Sequence, residues 1–331
     1  MKNGKHMKKA SLKKGKFKKS IFVIPFITIA IILLFNSLNF FSQKKSQTIE
    51  VNKNTTENAI EITSTLEEIS NIPETIEPHE DENLKILIRN IQAENNLTED
   101  NFAFFYYNID KQEYYFYNEN TFFTAASTVK VPVAMYYYDE INNNNLTLES
   151  KLLYTNACYE AGGGSTASTY SVGESIPLNF LLRQSIVNSD NTAVNILIRN
   201  LGWAQYRYDI AKYTDEELPQ DFYENNLISA NYAYDVINYL YENMNSYSEL
   251  IEYMKQSSMG QYLKKYIGDY EVAHKYGSYN GYVHDYGIVF GENTYLIGIF
   301  TKNVINSDEL IAQISLDILN YTLELEQKGH D

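Results

Sequence analysis

Three short polar groups carry side chains that could do chemistry together: Ser127-Thr128-Val129-Lys130, Ser189-Asp190-Asn191 and Lys275-Tyr276-Gly277. A serine hydroxyl is a poor nucleophile near neutral pH unless a base lies within hydrogen-bond reach. Residues three apart on a helix share a face, so a helix beginning near Ser127 in AASTVKVPVAMYYY would set Lys130 beside that hydroxyl. Serine caps helices well, and the helix dipole favours a developing alkoxide at that end. Pro132 comes late for a first-turn proline but stays within the tolerated range of an N-terminus. Lysine serves as a base only when neutral, which requires burial or a neighbouring cation. Alone, Ser-x-x-Lys recurs by chance, and an exposed cap beside an exposed lysine would leave the same letters.

The other two groups supply what the first lacks. Ser189-Asp190-Asn191 lies between two helical apolar runs in LLRQSIVNSDNTAVNILIRNLG, where each of its residues could cap a helix. The same triplet could give a hydroxyl that shuttles a proton, at Ser189, and an amide aimed at substrate, at Asn191. In VAHKYGSYNGYVHDYGIVF, Lys275 offers a cation to a carboxylate and would lower the pKa of Lys130, while Gly277 and Gly287 permit close backbone approach.

These residues must be positioned by the elements around them. LKILIRNIQAEN, from Asn83 onward, has helical apolar spacing at Leu84, Leu87, Ile88 and Ile91. NFAFFYYNID and EYYFYNEN read as a β-hairpin around Asp110-Lys111-Gln112. Residues 127–240 are mostly helical, with loops at INNNNLTLES, EAGGGSTASTYSVGES and TDEELPQDFYENN. Strands return at VAHKYGS, GYVHDYGIVF and TYLIGIFTK, and ELIAQISLDILNYTLEL closes the chain as an amphipathic helix. Strands at both ends with helices between predict an α/β (α+β) domain: one sheet completed by both ends of the chain, a helical insertion, and a cleft where the two meet.

The beginning of the chain is of another kind. Residues 1–20 hold nine lysines and no acid, and they run into IFVIPFITIAIILLF. With no Ala-x-Ala cleavage site and no cysteine for lipidation, this predicts a cytoplasmic basic tail (1–20) and an uncleaved membrane anchor (21–41). A disordered linker (42–82), rich in Thr, Glu, Ser and Asn, then leads to an extracellular domain at 83–331. The net charge of −15 conceals the asymmetry: eleven lysines fall within the first 45 residues, leaving 16 basic against 42 acidic residues beyond. Such an acidic outer part disfavours nucleic acid as a partner. Cys158 is the sole cysteine, so it cannot form an internal disulfide and is expected to be a small buried residue. The 30 tyrosines fit either a compositional bias or sugar-stacking surfaces.

From about residue 84 to 325 the chain resembles the class A β-lactamase and penicillin-recognising serine family, whose motifs are Ser-x-x-Lys, Ser-Asp-Asn and Lys-Thr/Ser-Gly in that order. The longer blocks FTAASTVKVPVAM, SIVNSDNTAVNILI and HKYG with HDYGIV strengthen the likeness. The resemblance implies a β-lactamase/transpeptidase-like fold, an antiparallel sheet flanked by helices plus an all-helical subdomain. It implies that Ser127 is acylated by a strained or activated amide, with Lys130 as base and Ser189 passing the proton to the leaving nitrogen. The backbone N–H groups of Ser127 and Ser278 would form the oxyanion hole, and Asn191, Lys275 and Gly277 would meet substrate. No cofactor is implied. His274 and His284 are expected to support strands, and without a third ligand no metal is expected.

Two departures bear on function. Tyr276 stands where the family has Thr or Ser, so either Ser278 or the Tyr276 phenol replaces a small hydroxyl, or the tyrosine turns away and narrows the cleft. The loop TDEELPQDFYENNLISA lacks the family's Glu-x-x-Leu-Asn, whose glutamate positions the deacylating water; Asp215, Glu216, Glu217 and Glu224 are the candidates to replace it. Three outcomes follow for a protein acting on a β-lactam or a peptidoglycan peptide: a β-lactamase, a D,D-peptidase with slow deacylation, or a non-turnover sensor. A wall-binding module without activity is the blandest reading.

Overall fold

The computed structural model describes residues 77–329, apart from 162, 258 and 259. The basic tail, the anchor and nearly all of the predicted linker lie outside the described residues. Among those described, no helix is long and apolar enough to cross a membrane. The elements, in chain order, begin with His79–Glu80 (β1), Glu82–Asn95 (α1), Phe102–Asn108 (β2), Glu113–Tyr117 (β3) and Phe123–Thr124 (β4). The middle comprises Lys130–Asn142 (α2), Lys151–Leu153 (β5), Thr166–Thr169 (α3), Ser175–Pro177 (β6), Leu178–Val187 (α4), Asn191–Leu201 (α5), Tyr206–Ile210 (α6), Gln220–Glu224 (α7), Leu227–Ile228 (β7), Ala230–Glu242 (α8) and Ser248–Lys255 (α9). Glu271–Tyr279 (β8), Tyr282–Phe290 (β9), Tyr295–Lys302 (β10) and Ser307–Gly329 (α10) close the fold.

Structure starts a few residues before the predicted boundary at Asn83. Asp81 caps α1, its Oδ1 accepting the N–H groups of Asn83 and Leu84 at 3.0 Å each, which satisfies two otherwise unpaired donors. Ahead of it, β1 adds to the edge of β3. It pairs in parallel, so the sheet is mixed rather than wholly antiparallel. The strand order is β1-β3-β2-β10-β9-β8, with both ends of the domain contributing as expected and β8 at the edge.

The imperfect alternation of β2 has a packing cause. Phe102, Phe104 and Tyr106 face the cluster formed with Leu84, Ile88, Ile311, Ile314 and Ile318 of the first and last helices. Ala103 and Phe105 face the cluster built by the helices between β4 and β8. Strands buried on both faces read as continuous apolar runs. The predicted turn forms as drawn, with Asn108 Oδ1 accepting from the N–H groups of Asp110 and Lys111.

Many tyrosines are core residues with a hydrogen-bonded tip. Tyr137 donates to Leu197 O, Tyr232 to Ile210 O, and both Tyr213 and Tyr247 to Asp139. Cys158 is a free thiol and fully buried.

Candidate active site

The segment bearing Ser127 is tighter than the sequence predicts. Ser127 lies in a 3-10 turn, Ala126–Val129, and Lys130 begins α2, so Ser127 is not the helix cap. Pro132 is the third residue of α2, among the first four whose N–H groups have no partner within the helix. Ala126 has φ of 50°, an unfavourable conformation for a residue with a Cβ, and tertiary bonds hold it there. Ala125 N donates to Asn226 O at 2.8 Å, and Asn226 Nδ2 donates to Ala126 O at 3.0 Å. Tyr286 donates to Thr128 O at 3.3 Å.

His284 fixes the approach to this turn. Its Nδ1 accepts from Thr301 N–H at 3.2 Å, which leaves Nε2 to donate to Thr124 O at 2.9 Å. Burial holds its pKa down at about 4 against the backbone bonds to Thr124 and Val283, so the ring is a neutral brace. His274 likewise supports strands: its ring bridges Asp285 Oδ2 at 2.7 Å and Ser257 O at 2.8 Å. Among the described residues no cluster of three or more His, Cys, Asp or Glu could hold a metal.

Two buried lysines converge on Ser189. Lys130 Nζ lies 2.6 Å from Ser189 O, 3.2 Å from Ser189 Oγ and 2.8 Å from Asn191 Oδ1. Lys275 Nζ lies 3.1 Å from the same Ser189 Oγ. Ser189 itself has φ of 52°, and Asp190 caps α5, so the triplet caps a helix and faces the cleft at once. Lys130 makes its hydrogen bonds to Ser189 and Asn191 rather than to Ser127, which sits three residues earlier, one turn back. Catalytic contacts are often loose before substrate binds.

Burial is the main cause of the electrostatics here. It draws Lys130 down to about 7, opposed by the fields of Asp190 and Glu160. Lys275 falls well below the ordinary lysine range, first through burial and then through repulsion by Lys130. The sequence argument had the repulsion acting on Lys130; it is at Lys275 that this repulsion is felt, after burial. The two amines therefore do not carry full charge together, and a hydroxyl between them can accept from one and donate to the other.

Asn191 relays a third charged group into the site. Its Oδ1 faces Lys130, while its Nδ2 donates to Glu160 Oε1 at 3.0 Å, and Asn195 Nδ2 donates to Glu160 Oε2 at 2.9 Å. Glu160 had no signal in the sequence, because it reaches the site from a loop some thirty residues upstream. Asp190 is buried with its oxygens taken by Ala193 N–H and Thr166 N–H.

Gly277 brings β8 against the nucleophile. A Cβ at this position would stand 2.8 Å from Ser127 N and 2.9 Å from Ala125 O, so only glycine lets the strand approach the Ser127 amide. Ser278, the next residue on this edge strand, is exposed beside it. Gly287 serves the sheet instead: its Cβ would strike Ala273 O across the strand pair at 2.1 Å. Tyr276 does not turn away. Its ring lies over the Lys275 amine, 4.1 Å from Nζ to the centroid.

The loop after α6 has no carboxylate at the nucleophile. Asp215 and Glu216 line a cavity with Asp235 and Tyr239, Glu217 lines another with Phe122 and Pro219, and Glu224 accepts from Gln220. All four candidates are exposed, and none is hydrogen-bonded to Ser127, Lys130 or Ser189. The loop is held from beneath by buried Arg207, which donates to Phe222 O and Leu227 O at 2.7 and 2.8 Å and stacks 3.7 Å from the Phe222 ring. Asn226 is the residue it brings to Ala125 and Ala126, just ahead of Ser127, and the Oδ1 of Asn226 is buried without a partner among the described residues. No local pattern in the sequence marks either Asn226 or Arg207.

Comparison with known proteins places the fold and the family. The structure of PBP-A superposes with a TM-score of 0.65 at 20% identity, covering 75% of this chain and 98% of that one. A β-lactamase from Sphaerobacter thermophilus gives 0.61 at 20% identity, covering 71% and 96%, and the TLA-3 extended-spectrum β-lactamase gives 0.62 at 17%, covering 72% and 98%. At such identities these show a shared fold. No curated protein matches the sequence. The sequence model of the β-lactamase enzyme family matches residues 84–322, which contain all three motifs, and the chain belongs to that family.

Proposed function

We propose that the protein is a serine acyl-transfer hydrolase that opens an amide of a β-lactam or a cell-wall peptide and releases the acyl group slowly. Ser127 Oγ attacks the carbonyl carbon, and its proton passes to neutral Lys130. Ser189 then relays a proton to the leaving nitrogen as the C–N bond breaks, leaving an ester on Ser127. The observation that carries this reading is the placement of Ser189 Oγ between Lys130 and Lys275, both with depressed pKa values. Slow release is supported by the four exposed loop acids, none of which reaches the nucleophile, so general-base activation of water falls to Lys130. That favours the behaviour of a penicillin-binding peptidase over that of an efficient β-lactamase. The lysine-rich, apolar start of the chain supports a membrane-anchored protein working outside the membrane, where wall peptides lie.

Intact-mass spectrometry of the full chain, incubated with penicillin G or its methyl ester, tests the reading. A lasting adduct of one ligand, lost in Ser127→Ala, is expected. Rapid turnover without accumulation would favour a β-lactamase. Absence of both adduct and turnover in folded protein would refute acyl transfer.

A further inference from the structure

We infer that an aromatic cover closes Lys275 to substrate, so that the site takes amides whose leaving side is uncharged rather than bearing a carboxylate; this rests on the acyl-transfer reading above. An amine that recognises a carboxylate must offer it a free N–H and a positive charge. Lys275 has no free N–H to offer. Its Nζ is fully buried and already faces Ser189 Oγ at 3.1 Å and Tyr276 O at 2.9 Å, and the Tyr276 ring covers it at 4.1 Å.

The cover is built rather than incidental. Tyr276 is stacked on Tyr262, with ring centroids 4.7 Å apart and planes inclined by 14°. Tyr262 takes a left-handed φ of 52°, which a bulky residue holds only when its surroundings impose it. Those surroundings are visible: Tyr262 packs against the core cluster under the sheet, and the next residue, Leu263, donates its N–H to buried Asp285 Oδ2 at 3.1 Å. A ring so anchored cannot swing aside without losing both the stack and the amine beneath it.

Among the described residues no arginine replaces the missing cation. Of the chain's four arginines, Arg207 is committed to loop carbonyls, Arg199 is in the last turn of α5, and Arg89 and Arg183 act on Tyr115 and Tyr253. The charges that remain near Lys130 are those of Asp190 and Glu160, which repel an anion. The ligand class that fits is an amide with a neutral leaving side, such as a β-lactam ester or a peptide whose end is amidated.

The rates at which penicillin G and its methyl ester acylate Ser127 in the full chain test this inference. The wild type should take the ester faster than the free acid. Tyr276→Thr should raise the ratio of the acid rate to the ester rate about tenfold or more, the scale of one charge-assisted hydrogen bond. Tyr262→Ala, which removes only the support of the ring, should move the ratio the same way and covers the case in which Tyr276→Thr does not fold. A wild type that prefers the free acid, or a ratio that neither variant moves, overturns the inference while leaving acyl transfer standing. No adduct from either probe in any variant would overturn both.

Discussion

If Lys130 is the base, acylation depends on the fraction of Lys130 that is neutral. With its pKa held near 7, the rate constant for acylation should rise with pH through a midpoint near 7, level off above it, and fall about tenfold per pH unit below about 6. Glu160→Gln should displace that midpoint. The hydrogen bonds from Lys130 to Asn191 and from Asn191 to Glu160, 2.8 and 3.0 Å, bracket one amide, which puts the Glu160 oxygen within about 8 Å of Nζ. At an effective dielectric constant of about 20 to 40, chosen because Glu160 is exposed, the attraction is about 1 to 2 kcal/mol. Removing it favours the neutral amine, so the midpoint should drop by about one pH unit, towards 6. Glutamine keeps the size and can still accept from Asn191, which separates the electrostatic effect from loss of packing. Stopped-flow acylation with a chromogenic β-lactam between pH 5 and 9 reads both profiles. A wild-type midpoint above about 9, or no displacement in Glu160→Gln, refutes Lys130 as a base tuned by burial and by this carboxylate.

Gly277→Ala should sharply reduce acylation, by about tenfold or more, because the added Cβ would press on Ser127 N at 2.8 Å; acylation kinetics on folded variant protein check it. Single changes of Asp215, Glu216, Glu217 or Glu224 to the corresponding amide should leave the lifetime of the acyl-enzyme unchanged within about twofold, measured by recovery of free enzyme after a penicillin pulse, whereas a carboxylate at the right place would make one of them matter. Lys130 also links stability to pH. Its folded pKa lies below its unfolded value, so between about pH 7 and pH 10 the unfolded chain holds a proton the folded one lacks, and stability rises with pH across that window. Urea unfolding at pH 7 and 9.5 should show this rise in the wild type and a smaller one in Lys130→Met.

The sequence made the three motifs legible because each is local: a serine and lysine one turn apart, a capping triplet, and a lysine and glycine on one strand. It also made the sheet legible, since β2, β3, β8, β9 and β10 are bounded by turn residues. What it hid is tertiary. Ser127 reads as a helix cap, yet Asn226 and Gly277 draw it into a 3-10 turn, and neither residue is near it in the chain. The acids of TDEELPQDFYENN looked like candidates by type alone. Their orientation is set by Arg207 and Phe222, which anchor the loop from below and leave the charged residues to solvent. The sequence left open whether Tyr276 replaces a small hydroxyl or points away. At an edge strand no neighbour blocks the ring, and the stack on Tyr262 brings it over the amine.

How the fold keeps a lysine near neutrality without losing it altogether follows from what surrounds it. All three acceptors at Lys130 Nζ are neutral: a carbonyl, a hydroxyl and an amide oxygen. A carboxylate in any of these places would pair with the ammonium and hold its proton. Two carboxylates are close, but each is kept at one remove. Asp190 spends its oxygens on the backbone amides of Ala193 and Thr166, and Glu160 spends its own on the side-chain amides of Asn191 and Asn195. They reach Lys130 as fields rather than as partners, enough to offset part of the burial cost but too weak to restore an ordinary lysine. Lys275 has only Asp285 to oppose burial and the Lys130 charge, and it too is held well below the ordinary lysine range. The balance of burial against these two indirect carboxylates makes Lys130 the group that titrates near neutral pH and Ser189 the hydroxyl across which the proton can move.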